Sequence, residues 1–329
     1  MSDLAEMQYL QRCLELPEEH ALRRAAEEQV AQGVMEWTPW VAIGASRERR
    51  WVVRLIASAL KPVVYAIESG PVVSMWSLET GAHLGDLDLV SGSARALVEL
   101  YDGRLRCLTS EGLVLEGTAS LAPIRALGAE QVIAHDPCLR RFLVPGAIID
   151  VLEGTTLDTP IAPTTSAFAG GRFLAANNGA LQLIHPETGA IETVEAPGAI
   201  FHIEALAEPG TAGVHFESGE LPGFLVLDVA SKTWRDDAEP PDPIPQALPD
   251  GTRFRENLFV DPSGRTVGGW WPEARSARTV HLIVQDRVVI AGSDPAIPVS
   301  VIAPYTARAL APVALERPHA HPPYDAPCR

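Results

Sequence analysis

Lysine is almost missing from this 329-residue chain: of 26 basic residues, only Lys61 and Lys232 are lysine. Acidic residues number 42, and the formal net charge is −16. A surface of that sign lacks the basic footprint nucleic acid needs, and anionic membranes repel it. The expected partners therefore include neither. The arginine bias fits a GC-rich, bacterial genome.

Long apolar runs are also missing. The longest, "WVVRLIASALKPVVYAI", is broken by Arg54, Lys61 and Pro62, whereas a membrane helix needs about 20 apolar residues. The start, "MSDLAEMQYL", is acidic and has no apolar core of a secretory signal. Cysteine is scarce: Cys13, Cys107, Cys138 and Cys328 are far apart and form no CxxC pair. That reads as unpaired thiols in a reducing cytoplasm, although spacing alone leaves a disulfide open. The expected location is cytoplasmic.

Signatures of chemistry are absent as well. The chain has no phosphate-cradling Walker loop, no GxSxG elbow, no HExxH helix and no DxDxDG calcium loop. No catalytic residue, metal ligand or cofactor is assigned, and the reading leans away from an enzyme while leaving the question open.

What is present is a repeated pattern of short strands and tight turns. In "RFLAANNGALQLIHPETGAIETVEAPG", apolar strands are separated by turns at 177–179 and 186–189, where Asn and Gly tolerate left-handed backbone. Three strands of this kind cannot bury both faces and need neighbours. "PVVYAIESGPVVSMWSLETGAHLGDLDL" repeats the pattern, and "ALVELYDGRLRCLTSEGLVLEGTAS" does so again. About six such units are visible, each ~30 to 45 residues long, a period that suggests a β-propeller. A further unit is built from both ends, from "WVAIGAS", "RRWVVRLIA" and "VSVIAPY", which pairs edges that would otherwise aggregate.

The first 35 or so residues differ. Leu4, Met7, Leu10 and Leu14 fall at helical spacing, and Ser2 or Asp3 suits the N-cap. A second helix is expected from Pro17, with an apolar stripe of Leu22, Ala25, Ala26 and Val30 and a C-cap at Gly33. This hairpin either packs on the main domain or serves as a docking arm. The expected domains are a helical arm at 1–36, an all-β propeller of six or seven blades at 37–317 and a Pro-rich tail at 318–329.

The segments "SMWSLETGAHLGDL" and "QLIHPETGAIETVE" resemble the turns between consecutive strands in WD-type and quinoprotein-like propeller repeats. The resemblance implies propeller architecture and carries over no catalytic residue. It suits a non-enzymatic scaffold or adaptor that binds other proteins in a bacterial cytosolic multi-protein system. By analogy, an AAA+ ATPase or a von Willebrand A protein is the kind of partner expected. The alternative is a metal-dependent hydrolase or lactonase whose site lies at the central channel. That reading requires three or four of Asp86, Asp88, His135, His185, His202 and Asp261 to converge on one channel mouth. His215 and His281 are further strand histidines. His319, His321 and Cys328 in the tail form a weaker zinc pattern. Trp270, Trp271, Arg275 and Arg278 are the candidate interaction residues, since Trp and Arg dominate binding hot spots.

Overall fold

The computed structural model describes residues 2–32, 37–128, 132–161, 163–177, 180–206, 208–218, 221–236, 247–255, 257–271, 279–292 and 298–304. Gly33, Arg275, Arg278 and the tail residues His319, His321 and Cys328 lie outside them.

The chain opens with two helices, α1 (Ser2–Leu14) and α2 (Ala21–Ala31). Met7, Leu10 and Leu14 of α1 are buried, and Leu10, Cys13 and Leu14 pack with Ala26 of α2. Two members of the expected stripes, Leu4 and Leu22, are instead 43% and 45% exposed. The second helix starts at Ala21 rather than Pro17 because His20 takes the N-cap. Its Nδ1 accepts the Leu22 N–H at 3.2 Å, while the His20 N–H closes a turn on the Pro17 carbonyl at 2.9 Å.

All remaining elements are strands. After β1 (Thr38–Arg49) come five four-stranded antiparallel meanders. The first contains β2 (Val52–Ala57), β3 (Val63–Glu68), β4 (Val72–Ser77) and β5 (His83–Asp88). The second contains β6 (Ala94–Glu99), β7 (Leu105–Thr109), β8 (Leu113–Gly117) and β9 (Leu121–Ala126). The third contains β10 (Ala134–His135), β11 (Arg141–Val144), β12 (Ala147–Asp150) and β13 (Thr156–Asp158). The fourth contains β14 (Thr165–Ala169), β15 (Arg172–Asn177), β16 (Ala180–Ile184) and β17 (Ile191–Val194). The fifth contains β18 (Ala199–Ala205), β19 (Thr211–Ser218), β20 (Leu221–Asp228) and β21 (Thr233–Arg235).

The last six strands are β22 (Arg253–Arg255), β23 (Leu258–Val260), β24 (Thr266–Gly269), β25 (Thr279–Val284), β26 (Arg287–Gly292) and β27 (Pro298–Pro304). With β1 they form a seven-stranded sheet in the order β22-β23-β24-β1-β27-β26-β25. β1 pairs antiparallel with β27, from Trp40 opposite Pro304 to Arg49 opposite Pro298. Its first residues, Thr38 and Pro39, pair in parallel with Gly268 and Gly269 of β24. One N-terminal strand thus completes the meander β25–β27 and also touches β22–β24. Counted this way, the described strands make seven meanders, and the fold is an all-β propeller preceded by two helices. "RRWVVRLIA" does not join the closure. It supplies the first strand of the next meander, where Arg50 bonds Glu68 at 3.3 Å and Asp86 at 3.0 Å.

Burial follows the sequence pattern. The second strands are nearly continuous apolar runs, and β7 and β26 are buried at every position, as expected for strands covered on both faces. The fourth strands alternate or are largely exposed, as in β5 and β9.

The chain divides into two compact units, Met1–Leu87 with Pro245–Arg317, and Asp88–Ile244 with Pro318–Arg329. In the first, Val64 and Trp76 pack with Val289 and Val301, and Trp40, Phe259 and Trp270 form a second cluster. In the second, apolar clusters fill the spaces between successive meanders, as where Leu174 and Leu181 meet Val214 and Leu227. The expectation of unpaired thiols fails at one cysteine: Cys13 and Cys107 are free and buried, but Cys138 is disulfide-bonded. Spacing along the chain carries no information on which thiols a fold brings together. Among the described residues, no helix is long and apolar enough to cross a membrane.

Candidate functional site

The turn between third and fourth strands recurs with one chemistry. In the first meander, Ser77 Oγ accepts the backbone N–H groups of Glu79 and Thr80. Asp150 Oδ1 accepts those of Leu152 and Glu153 in the third. His185 Nδ1 accepts the Glu187 N–H at 3.2 Å in the fourth, and Asp228 Oδ1 the Ser231 N–H at 2.8 Å in the fifth. Four residues after each cap stands a residue with left-handed backbone: Gly81, Gly154, Gly189 and Lys232. His185 therefore occupies the position that Ser and Asp fill elsewhere, and its ring nitrogen satisfies an otherwise orphaned backbone donor.

Apart from Asp88, the other residues singled out for chemistry also have local partners. Asp86 on β5 accepts from Arg50 and lies 2.7 Å from His83 Nε2. Asp261 caps a β-turn by accepting from Ser263 and Arg265. His135 Nδ1 lies 2.9 Å from the Asp136 carbonyl, and His281 sits edge-on to Phe254, 5.4 Å between centroids. Asp88 ends β5, exposed. His202 on β18 faces His215 on β19, with ring centroids 5.4 Å apart, and His215 Nε2 lies 3.0 Å from Glu204. Among the described residues, no three His, Cys, Asp or Glu side chains are grouped to hold a metal.

Buried charge is concentrated in the second unit. Arg106, 1% exposed, bonds Glu116 and donates to the Cys138 carbonyl at 2.8 Å. Arg104 also pairs with Glu116. Burial raises the Asp136 carboxyl above the ordinary range, against the lowering effect of the Arg140 and Arg141 backbone N–H groups. Burial alone would raise Asp150 too, but the Glu153 N–H, the Arg140 guanidinium and the Leu152 N–H hold it below that range. Burial pushes the Cys107 thiol up to about 12.

Trp270 is 4% exposed, and its indole N–H donates to Glu15 at 3.2 Å. Trp271 is half-buried, and its backbone N–H and carbonyl are held by the Gln11 side-chain amide at 3.0 and 3.1 Å. A Gln side chain here makes the paired bonds that a neighbouring strand would make. The first helix is thus fastened to the end of β24 through the two tryptophans.

Two kinds of feature face outward. The first is a β-bulge near the start of a first strand. The register slips between Val52 and Arg54 in β2, between Ala94 and Ala96 in β6, and between Ile200 and His202 in β18. Val53 and Phe201, the extra residues in β2 and β18, are 57% and 51% exposed, and Trp51 beside the first is 56% exposed. Bulges re-aim a side chain away from the ladder. Next to Phe201 the His215 and Phe224 rings, 4.9 Å apart, extend an aromatic surface. Sequence reading missed these residues, because a bulge appears only once the register is known.

The second is a cavity of about 310 Å³ in the first unit, where β1 passes from β24 to β27. Trp40, Leu248 and Val267 stand among its apolar walls, and Thr38, Thr252, Asp250 and Asp286 are its polar lining.

The seven meanders place the protein in the β-propeller class. Among solved structures, the chain is similar to the WD40 domain of Neurospora crassa Pan2, with 13% identity, a TM-score of 0.46, and 82% of this chain and 97% of that chain covered. No family model and no curated protein matches the sequence.

Proposed function

We propose that the protein is a non-enzymatic interaction propeller, a scaffold or adaptor. The observation that carries this reading is the outward display of large apolar side chains at the bulged starts of β2 and β18: Trp51 with Val53, and Phe201. Single exposed apolar residues are ordinary on a protein surface, but grouped ones, Trp51 with Val53 and Phe201 beside His215 and Phe224, are what interfaces use. The local structural roles of His185, Asp86 and Asp261 support the same reading. The proposed setting is a bacterial cytosolic multi-protein system, with an AAA+ ATPase or a von Willebrand A protein as the partner class to test first.

The test is quantitative affinity capture with the full chain, comparing wild type with Trp51→Ser/Val53→Ser and with Phe201→Ser. At least one protein is expected to be retained by wild type and lost from one of the variants, while circular dichroism of both variants matches wild type. Identical capture by all three proteins would overturn the proposal.

A further inference from the structure

We propose that the cavity between β24 and β27 binds a monovalent organic cation, an ammonium or guanidinium head on a short apolar stem. The inference is independent of the partner-binding surfaces above. Its volume, about 310 Å³, is at the small end of ligand sites, which run from about 300 to 1,000 Å³. Trp40 is 4% exposed and has Phe259 stacked on one face at 3.6 Å. With Leu248 and Val267, its remaining surface makes a wall suited to an alkyl or aromatic stem.

The polar lining sets the sign of the ligand. Asp286 belongs to the two-residue turn joining β25 to β26, between the paired Val284 and Arg287. It has no ion-pair partner among the described residues. Asp250 commits its Oδ1 to the Thr252 N–H at 2.9 Å. Thr252 is only 5% exposed, yet its hydroxyl has no hydrogen-bond partner among the described residues. That hydroxyl is not fully shielded from solvent, so a ligand in the cavity can reach and bond to it. Among the described residues, no Lys, Arg or His lines the space. An anion would meet two carboxylates in a chain of net charge −16, and a purely apolar ligand would desolvate them without return. An amphipathic cation satisfies the carboxylates, the hydroxyl and the indole together.

Calorimetric titration of the full chain with butylguanidinium tests this, with butylurea as the neutral isostere. A second arm uses a capped pentapeptide with one central arginine and glycine elsewhere. Saturable binding of the cation at one site is expected, without binding of butylurea. Asp286→Asn is expected to weaken binding at least about tenfold, the scale of one charge-assisted bond, whereas Asp88→Asn, an exposed carboxylate elsewhere, leaves it unchanged. Thr252→Val should weaken binding and Thr252→Ser should not, which keeps a readout if the Asp286 variant misfolds. Tighter binding of the peptide would identify the source as a partner's arginine, and equal or weaker binding would identify a free small cation. Equal response to guanidinium and urea, equal effects of the two Asp variants, or no saturable binding of either cationic probe would overturn the proposal.

Discussion

Gly81 shows how a turn residue is fixed by its neighbour. Its φ is +65°, and a Cβ there would lie 2.5 Å from the Gly44 backbone of β1. A Cβ on Gly44 would in turn lie 1.9 Å from the Thr80 carbonyl oxygen. The Thr-Gly turn of the first meander therefore lets β1 pass against it. Gly81→Ala is expected to destabilise by more than about 1 kcal/mol, measured by urea unfolding. Gly70→Ala, where a Cβ meets nothing within 4 Å, is expected to stay within about 0.5 kcal/mol of wild type.

The buried Arg106–Glu116 pair is a second residue-scale case. Removing Arg106 leaves Glu116, 9% exposed, with only the more exposed Arg104 as its cation, so Arg106→Ala should cost up to about 3 kcal/mol. The double replacement Arg106→Met/Glu116→Leu should recover much of the loss in the same unfolding assay. At Cys107, a thiol pushed up to about 12 is almost wholly protonated at neutral pH. Iodoacetamide on the native protein at pH 7.5 should leave it unmodified, as read by peptide mass spectrometry.

At the scale of elements, titration of two turn caps works in opposite directions. Asp150 is lowered on folding, so its contribution is present above its unfolded value and is lost as pH falls through the lower folded one. Asp136 is raised, so its folded form holds a proton longer and its ionisation costs stability as pH rises. Asp150→Asn is expected to flatten the acid limb of stability against pH, while Asp136→Asn leaves that limb or steepens it. The first helix has its own test. Gln11→Leu leaves the Trp271 N–H and carbonyl without the Gln11 amide, a loss of about 1–3 kcal/mol. Faster amide exchange at Trp271 would confirm it.

At the scale of the molecule, β1 belongs by sequence to the start of the chain but by pairing to its last strands. Deleting residues 1–49 would expose the edges of both β24 and β27. The shortened chain is expected to lose cooperative unfolding of the first unit and to aggregate, which thermal denaturation with light scattering would register. Retention of a single sharp transition would show that β1 is dispensable.

The repeat of strands and turns was legible in the residues themselves. Alternation, apolar runs and Asn/Gly or Thr-Gly punctuation are local, so "RFLAANNGALQLIHPETGAIETVEAPG" announces its own strands. The closure by "WVAIGAS" and "VSVIAPY" was readable too, because unpaired edges must find partners. Roles set by contact were not. Only the register shows that His185 stands where Ser77 and Asp150 stand, and only packing turns Trp270 inward onto Glu15. The bulges exposing Val53 and Phe201 depend on the register between neighbouring strands, and the cavity beside Trp40 arises where the start of the chain meets its last strands. The sequence determines the elements because their forces are short-range; tertiary structure decides the sites because these depend on strand register and on contacts as distant as Glu15 with Trp270.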